Sequence, residues 1–172
     1  MVSDSKRRRL SLPLGAGRKN MKNCPIATHD VSVNLKNRDK AFAEYGYGPA
    51  NPENDNSDFW NARAKEWNTS VDNAKTMHCG NCSAFIQTPE MMECIVGGIQ
   101  QEESDDETYA SEVVDSADLG YCELFEFKCA ADRTCSAWLV GGPITKPMTG
   151  KQKAMLKFAK MEYEDEENSS MD

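Results

Sequence analysis

The sequence predicts a small α+β domain, loop-rich, with few helices and short strands and with flexible charged termini. Three observations carry this. The chain has 172 residues, enough for one compact core with tails and too few for two. Apolar residues at helical spacing are confined to a few stretches, the clearest between Asp58 and Met77. Four thiols, at Cys79, Cys82, Cys122 and Cys135, stand where a metal cluster can organise the loops between such short elements.

Residues 1–23 read as a basic flexible arm, with Lys6, Arg7, Arg8, Arg9, Arg18, Lys19 and Lys22 against Asp4. Met21 is a second candidate start. Residues 24–33 are expected to be extended. Asn34 to Tyr45 predicts a short helix with Leu35, Ala41, Phe42 and Tyr45 apolar, ended by Gly46 and Pro49. Gly46 to Asn56 is a Gly/Pro/Asn loop. From Asp58 to Met77, Trp60, Ala64, Trp67, Val71 and Ala74 form one apolar stripe behind a Ser57 N-cap. That helix is expected to deliver Cys79 and Cys82.

Glu90 to Gly97 predicts a helical turn closed by Gly97-Gly98. Residues 101–118 hold eight acids and no base and are expected as an exposed acidic loop. Tyr121 to Phe127 alternates as a strand. Cys129 to Arg133 is expected to be a tight turn returning Cys135 to Cys122. Lys151 to Met161 predicts a helix that runs into an acidic tail. The organisation expected is therefore an arm at 1–23, a cluster-binding domain at 24–149, and a helix with acidic tail at 150–172.

Composition excludes several classes. A net charge of -8 argues against the whole domain gripping nucleic acid. The mean hydropathy is -0.68, and no apolar run approaches the ~18–20 residues that cross a bilayer. No phosphate-binding GxxxxGK[ST], nucleophile elbow or HExxH occurs. The chain is not expected to be an enzyme.

Seven cysteines cannot all pair within one chain. Ser5-Lys6-Arg7-Arg8-Arg9-Leu10 approaches a twin-arginine signal, but the apolar stretch behind it is short and Arg18-Lys19 interrupts it. A reducing compartment favours metal ligation for most of the thiols. The CxxC of Cys79 and Cys82 can turn two sulfurs to one centre. Phe85, Tyr121, Phe125, Phe127 and Trp138 lie within a few residues of the candidate ligands, and a dry aromatic shell suits an iron–sulfur cluster. Zinc is the alternative, although twelve residues separate Cys122 from Cys135 where structural zinc sites use two close pairs. Cys94 and Cys129 can pair with each other, replace a ligand or sit reduced in the core. Cys24 reads as a lone structural thiol.

Cys79-x-x-Cys82 with Phe85, then Cys122-x-Leu124-Phe125, then Cys135-x-x-Trp138 resembles the cluster-binding segment of high-potential iron–sulfur proteins. The resemblance implies one [4Fe–4S] cluster on Cys79, Cys82, Cys122 and Cys135, in a small loop-rich fold that carries single electrons. The 39 residues between Cys82 and Cys122 exceed the family's usual gap, and the acidic block fits as an insertion. A second resemblance runs from Met21 to Pro143. Lys22-Asn23-Cys24-Pro25-Ile26-Ala27, Tyr45-Gly46-Tyr47-Gly48-Pro49, Cys79-Gly80-Asn81-Cys82, Phe127-Lys128-Cys129-Ala130-Ala131 and Trp138 to Pro143 are similar to phrases in uncharacterised virion-associated proteins of tailed marine phages, cyanophages especially.

The second resemblance implies an accessory structural protein of a phage virion, assembled in the bacterial cytoplasm, and the cluster is expected to act there as a staple, because a small domain with a modest core needs cross-links and four thiolates join three distant parts of the chain. Its partners would be other phage structural proteins, met through the charged arm and tail, and packaged nucleic acid, met through residues 1–23, with no membrane. The alternatives are a soluble electron carrier and a zinc-stapled interaction module.

Overall fold

The computed structural model describes residues 21–103 and 107–169. Among them are six α-helices and one three-stranded antiparallel sheet, the small mixed α+β domain that the sequence predicts. Most of the expected basic arm lies outside the described residues.

The first departure is at residues 24–33, which are not extended. Ile26–Thr28 form a 3-10 turn, and helix α1 (Val31–Tyr45) starts directly after it. The Thr28 hydroxyl donates to the Pro25 carbonyl at 2.6 Å, and the Asp30 carboxylate accepts from the Val33 amide at 3.2 Å. These two local bonds satisfy polar groups that an extended segment would leave open. Gly46, with φ 57, ends α1 in the left-handed conformation that glycine adopts without strain.

The long helix expected from Asp58 to Met77 is two. Helix α2 (Ser57–Glu66) and helix α3 (Val71–Ala74) are separated at Asn68, whose φ is 50. Ser70 caps α3 by accepting from the Asn73 amide at 3.1 Å. Asn68, Thr69 and Ser70 prefer caps and turns to helix interiors, so the break is local chemistry. The stripe survives it. Trp60, Ala64 and Ala74 remain buried together, with Trp67 and Val71 against them. Ser57 is the first helical residue, and Asn56 takes the cap position.

Strand β1 (Phe85–Ile86) leads into helix α4 (Pro89–Glu103), which continues through Gly97-Gly98. A Cβ on Gly98 would lie 1.7 Å from the Thr28 carbonyl oxygen. The glycine therefore permits close approach of the N-terminal segment instead of ending the helix. The acidic block is not a loop over its second half. Helix α5 (Glu107–Ala117) occupies it. Ala110 and Val114 are buried and Val113 packs beside them, so an apolar edge hidden among the acids sets the helix.

The single strand expected from Tyr121 to Phe127 is a hairpin. Strand β2 (Leu119–Cys122) turns at Glu123–Glu126 into strand β3 (Phe127–Ala130). Glu126 has φ 54. The sheet order is β1-β2-β3, with Phe85 opposite Cys122, Cys122 opposite Phe127, and Gly120 opposite Cys129. Cys129 thus sits in a strand, not in the expected turn. Helix α6 (Gly150–Ser169) extends past Met161 through the acidic segment and sends Leu156 and Ala159 into the main core. No helix among the described residues is long and apolar enough to cross a membrane.

Candidate metal centre

Sheet register decides which side chains meet. Directly opposed residues in an antiparallel pair point to the same face. Phe85, Cys122 and Phe127 therefore share one face with Gly120 and Cys129. Gly120 is needed there, because a Cβ would fall 2.3 Å from the Phe85 ring.

The CxxC is a 3-10 turn (Cys79–Asn81) moored to the chain after β3. The Cys79 amide donates to the Arg133 carbonyl at 2.6 Å, and the Gly80 amide to the Ala131 carbonyl at 3.0 Å. Asn81 locks the turn by accepting from the His78 amide at 2.9 Å and donating to the Thr76 carbonyl at 2.6 Å. The Trp138 indole N–H reaches the His78 carbonyl and Asn81 Oδ1, both at 2.9 Å. One aromatic thereby ties the CxxC to the Cys135 loop.

That loop is fixed from the other side. Gly48 and Thr134 exchange two backbone bonds of 3.0 and 2.7 Å. The Ser136 amide donates to the Tyr45 carbonyl at 2.8 Å, and the Trp67 indole donates to the Ser136 carbonyl at 3.3 Å.

These supports bring the four predicted cysteines, Cys79, Cys82, Cys122 and Cys135, to one pocket. A fifth, Cys129, lines it as well. The other walls are Ala84, Phe85, Leu124, Phe125, Thr134, Ala137 and Trp138, around a small cavity of about 20 Å³ partly open to the surface. Phe125 is held from behind, stacked on Tyr45 at 4.3 Å with Tyr163 of α6 edge-on at 5.4 Å.

Burial pushes the Cys82, Cys122, Cys129 and Cys135 thiols up, and neighbouring thiols add to the effect. Cys122 and Cys135 keep some exposed residue surface, yet desolvation around their sulfurs dominates. Backbone amides oppose it at three of them. The Leu139 and Ala84 amides donate to Cys82 Sγ at 3.4 and 3.5 Å. Phe125 and Leu124 do so at Cys122, and Ala137 at Cys135. Amides aimed at sulfur favour the thiolate. At Cys129 burial comes first, followed by a hydrogen bond with Cys79 and the fields of neighbouring thiols, all favouring the protonated form.

These residues fit a thiolate-ligated cluster. The pocket offers soft donors, an apolar and aromatic lining, and amides on the sulfurs. It also holds the Thr134 hydroxyl, fully buried with no hydrogen-bond partner, a donor that a cluster sulfur would satisfy. Among the described residues no group of three or more His, Cys, Asp or Glu is arranged to hold a single metal ion. A cluster would be held by the Cys79, Cys82, Cys122 and Cys135 thiolates together.

Cys24 and Cys94 lie outside the pocket. They form a disulfide with Cα atoms 5.6 Å apart, which corrects the reading of Cys24 as a lone thiol and, for Cys94, all three expected states: pairing with Cys129, replacing a ligand, or sitting reduced in the core. The close packing at Gly98 brings the two segments together. One pocket residue escapes sequence reasoning altogether. Cys129 enters it only as one of two thiols that can replace a ligand, and its place in the pocket follows from β3, where it shares a strand face with Phe127. Thr134 carries no signal in the sequence. No known protein family, curated protein or solved structure matches the chain.

Proposed function

We propose that Cys79, Cys82, Cys122 and Cys135 bind one [4Fe–4S] cluster, with a mainly structural role, in a non-enzymatic accessory protein of a phage particle. The observation that carries the cluster reading is the convergence of these thiols on one apolar pocket, with backbone amides directed at three of the four sulfurs. The ligands belong to three separate parts of the chain: the CxxC turn, the end of β2 and the loop after β3. When bound, the cluster would tie these three parts through thiolate–iron bonds. A small domain gains most from such a cross-link.

The particle setting is supported by the phage-like phrases of the sequence. Other structural proteins would meet the charged arm and tail, and packaged nucleic acid the arm. A soluble electron carrier would use the same ligands. A zinc-stapled module would use thiols from the same set.

Anaerobic purification with iron, sulfide, zinc and visible absorption measurements tests the reading. Four irons and four sulfides per chain with a brown colour are expected. A colourless protein with one zinc per chain would replace the cluster by the zinc module. Loss of the cluster should also remove hydrogen-exchange protection around Phe125 and Trp138. Unchanged protection in the cluster-free chain would favour the carrier.

A further inference from the structure

Helix α6 is amphipathic twice over. Its inner face carries Leu156 and Ala159 into the core. Its outer face carries Met155, Phe158 and Met161, exposed at 41%, 65% and 52%. Lys151, Ala154, Glu162 and Asp165 are exposed on the same side, following the 3.6-residue period.

The order of these residues is self-complementary about Phe158. Met155 lies three residues before it and Met161 three after. Lys151 lies seven before and Asp165 seven after, each ~10 Å along the axis. A second α6 laid antiparallel, with the two Phe158 rings at the centre, sets Met155 against the partner's Met161. The same placement sets Lys151 against the partner's Asp165, twice by symmetry. The two helix dipoles also oppose, so each basic N-terminal half faces an acidic C-terminal half.

We propose that α6 is a homodimerisation surface through which two copies of this chain associate about a two-fold axis at Phe158. The spacing of seven between Lys151, Phe158 and Asp165 is the repeat that keeps one seam facing its partner. The pairing is isologous, so the dimer closes and does not extend into fibres. A helix pair of this length falls short of the ~1,200 Å² that stable interfaces bury, and association should be weak and concentration-dependent.

Sedimentation velocity on the full chain tests this from about 10 µM to 1 mM, a range suited to an interface of this size. Wild type should shift from monomer to dimer. F158E, at a position already exposed, should keep its circular dichroism and stay monomeric. K151E and D165K should each weaken the dimer by about tenfold, because two attractions become two repulsions. The double variant K151E/D165K should restore it, since the exchanged charges meet again across the axis.

Monomeric wild type at 1 mM would overturn the proposal, whether another protein or residues 1–20 cover the stripe. A dimer that survives F158E would overturn it. Failure of the double variant to recover what the single variants lose would overturn the antiparallel register.

Discussion

Cys129 and Cys79 line one pocket, and Cys79 is among the neighbours that help hold the buried Cys129 thiol in its protonated form. The pair unites a regular strand with a 3-10 turn and makes a fifth thiol part of a four-thiol centre. Cys129 sits inside β3 with its backbone in the ladder, and its surroundings favour the protonated form. It is suited to donate to a Cys79 thiolate without ligating. Cys129→Ala should therefore keep four irons per chain, with a cluster more easily lost to air. Cys79→Ser, Cys82→Ser, Cys122→Ser and Cys135→Ser should each lose it. Iron and sulfide analysis of the five variants decides. Bleaching by Cys129→Ala with retention in Cys122→Ser would reverse the ligand assignment.

Gly120 supports the centre by being absent as a side chain. Gly120→Ala would place a methyl 2.3 Å from the fully buried Phe85 ring, which also walls the pocket. Overpacking of this kind costs about 1–3 kcal/mol. We expect a lower melting temperature and reduced iron content. Gly150→Ala, where a Cβ meets nothing within 4 Å, should change neither. Equal behaviour of the two variants would show that the ring is free to move aside.

In the carrier outcome, where the cluster-free chain keeps its pocket closed around Phe125 and Trp138, the raised thiols make that chain sensitive to alkali. Cys82, Cys122, Cys129 and Cys135 are all held above the ordinary thiol range by burial. Their folded state prefers the protonated form, and the unfolded chain begins to ionise near pH ~8.5. Stability is thus fully present below that pH and falls as pH rises toward the folded values. The limiting slope is about 1.4 kcal/mol per thiol per pH unit. Urea unfolding of cluster-free protein should show a flat free energy from pH 6 to 8 and a steep loss by pH ~10. Cys129→Ala should flatten the loss. A curve unchanged by that substitution would contradict its burial as a thiol.

The Cys24–Cys94 disulfide closes a long loop, at a sequence separation of 70, that contains α1 to α3 and the CxxC. Loops of this size gain about 2–4 kcal/mol from closure. Cys24→Ser/Cys94→Ser should lose stability of that order in denaturant titration while keeping its iron, since neither thiol lines the pocket. Loss of iron in this double variant, under conditions where it remains folded, would place the disulfide within the centre's support.

The α+β class, the four candidate thiols and three of the five aromatics expected beside them, Phe85, Phe125 and Trp138, were legible in the sequence, because these follow from local composition and spacing; Tyr121 and Phe127 do not line the pocket. The sequence also marked the stripe of Trp60, Ala64 and Ala74, which stays buried as one cluster even though Asn68 breaks the helix. Whatever depends on remote neighbours becomes legible with the folded chain. Gly98 reads as a helix end until the Thr28 carbonyl is found against it. The acidic block reads as a solvated loop until Ala110 and Val114 are seen in the core. Cys129 faces the pocket because β2 and β3 pair in a register that sets it opposite Gly120, and Cys24 pairs with Cys94 because α4 passes close to the N-terminal segment. Local patterns report how a residue treats its own backbone and water. Which distant group it meets is set by register and close packing, and no window of sequence contains them.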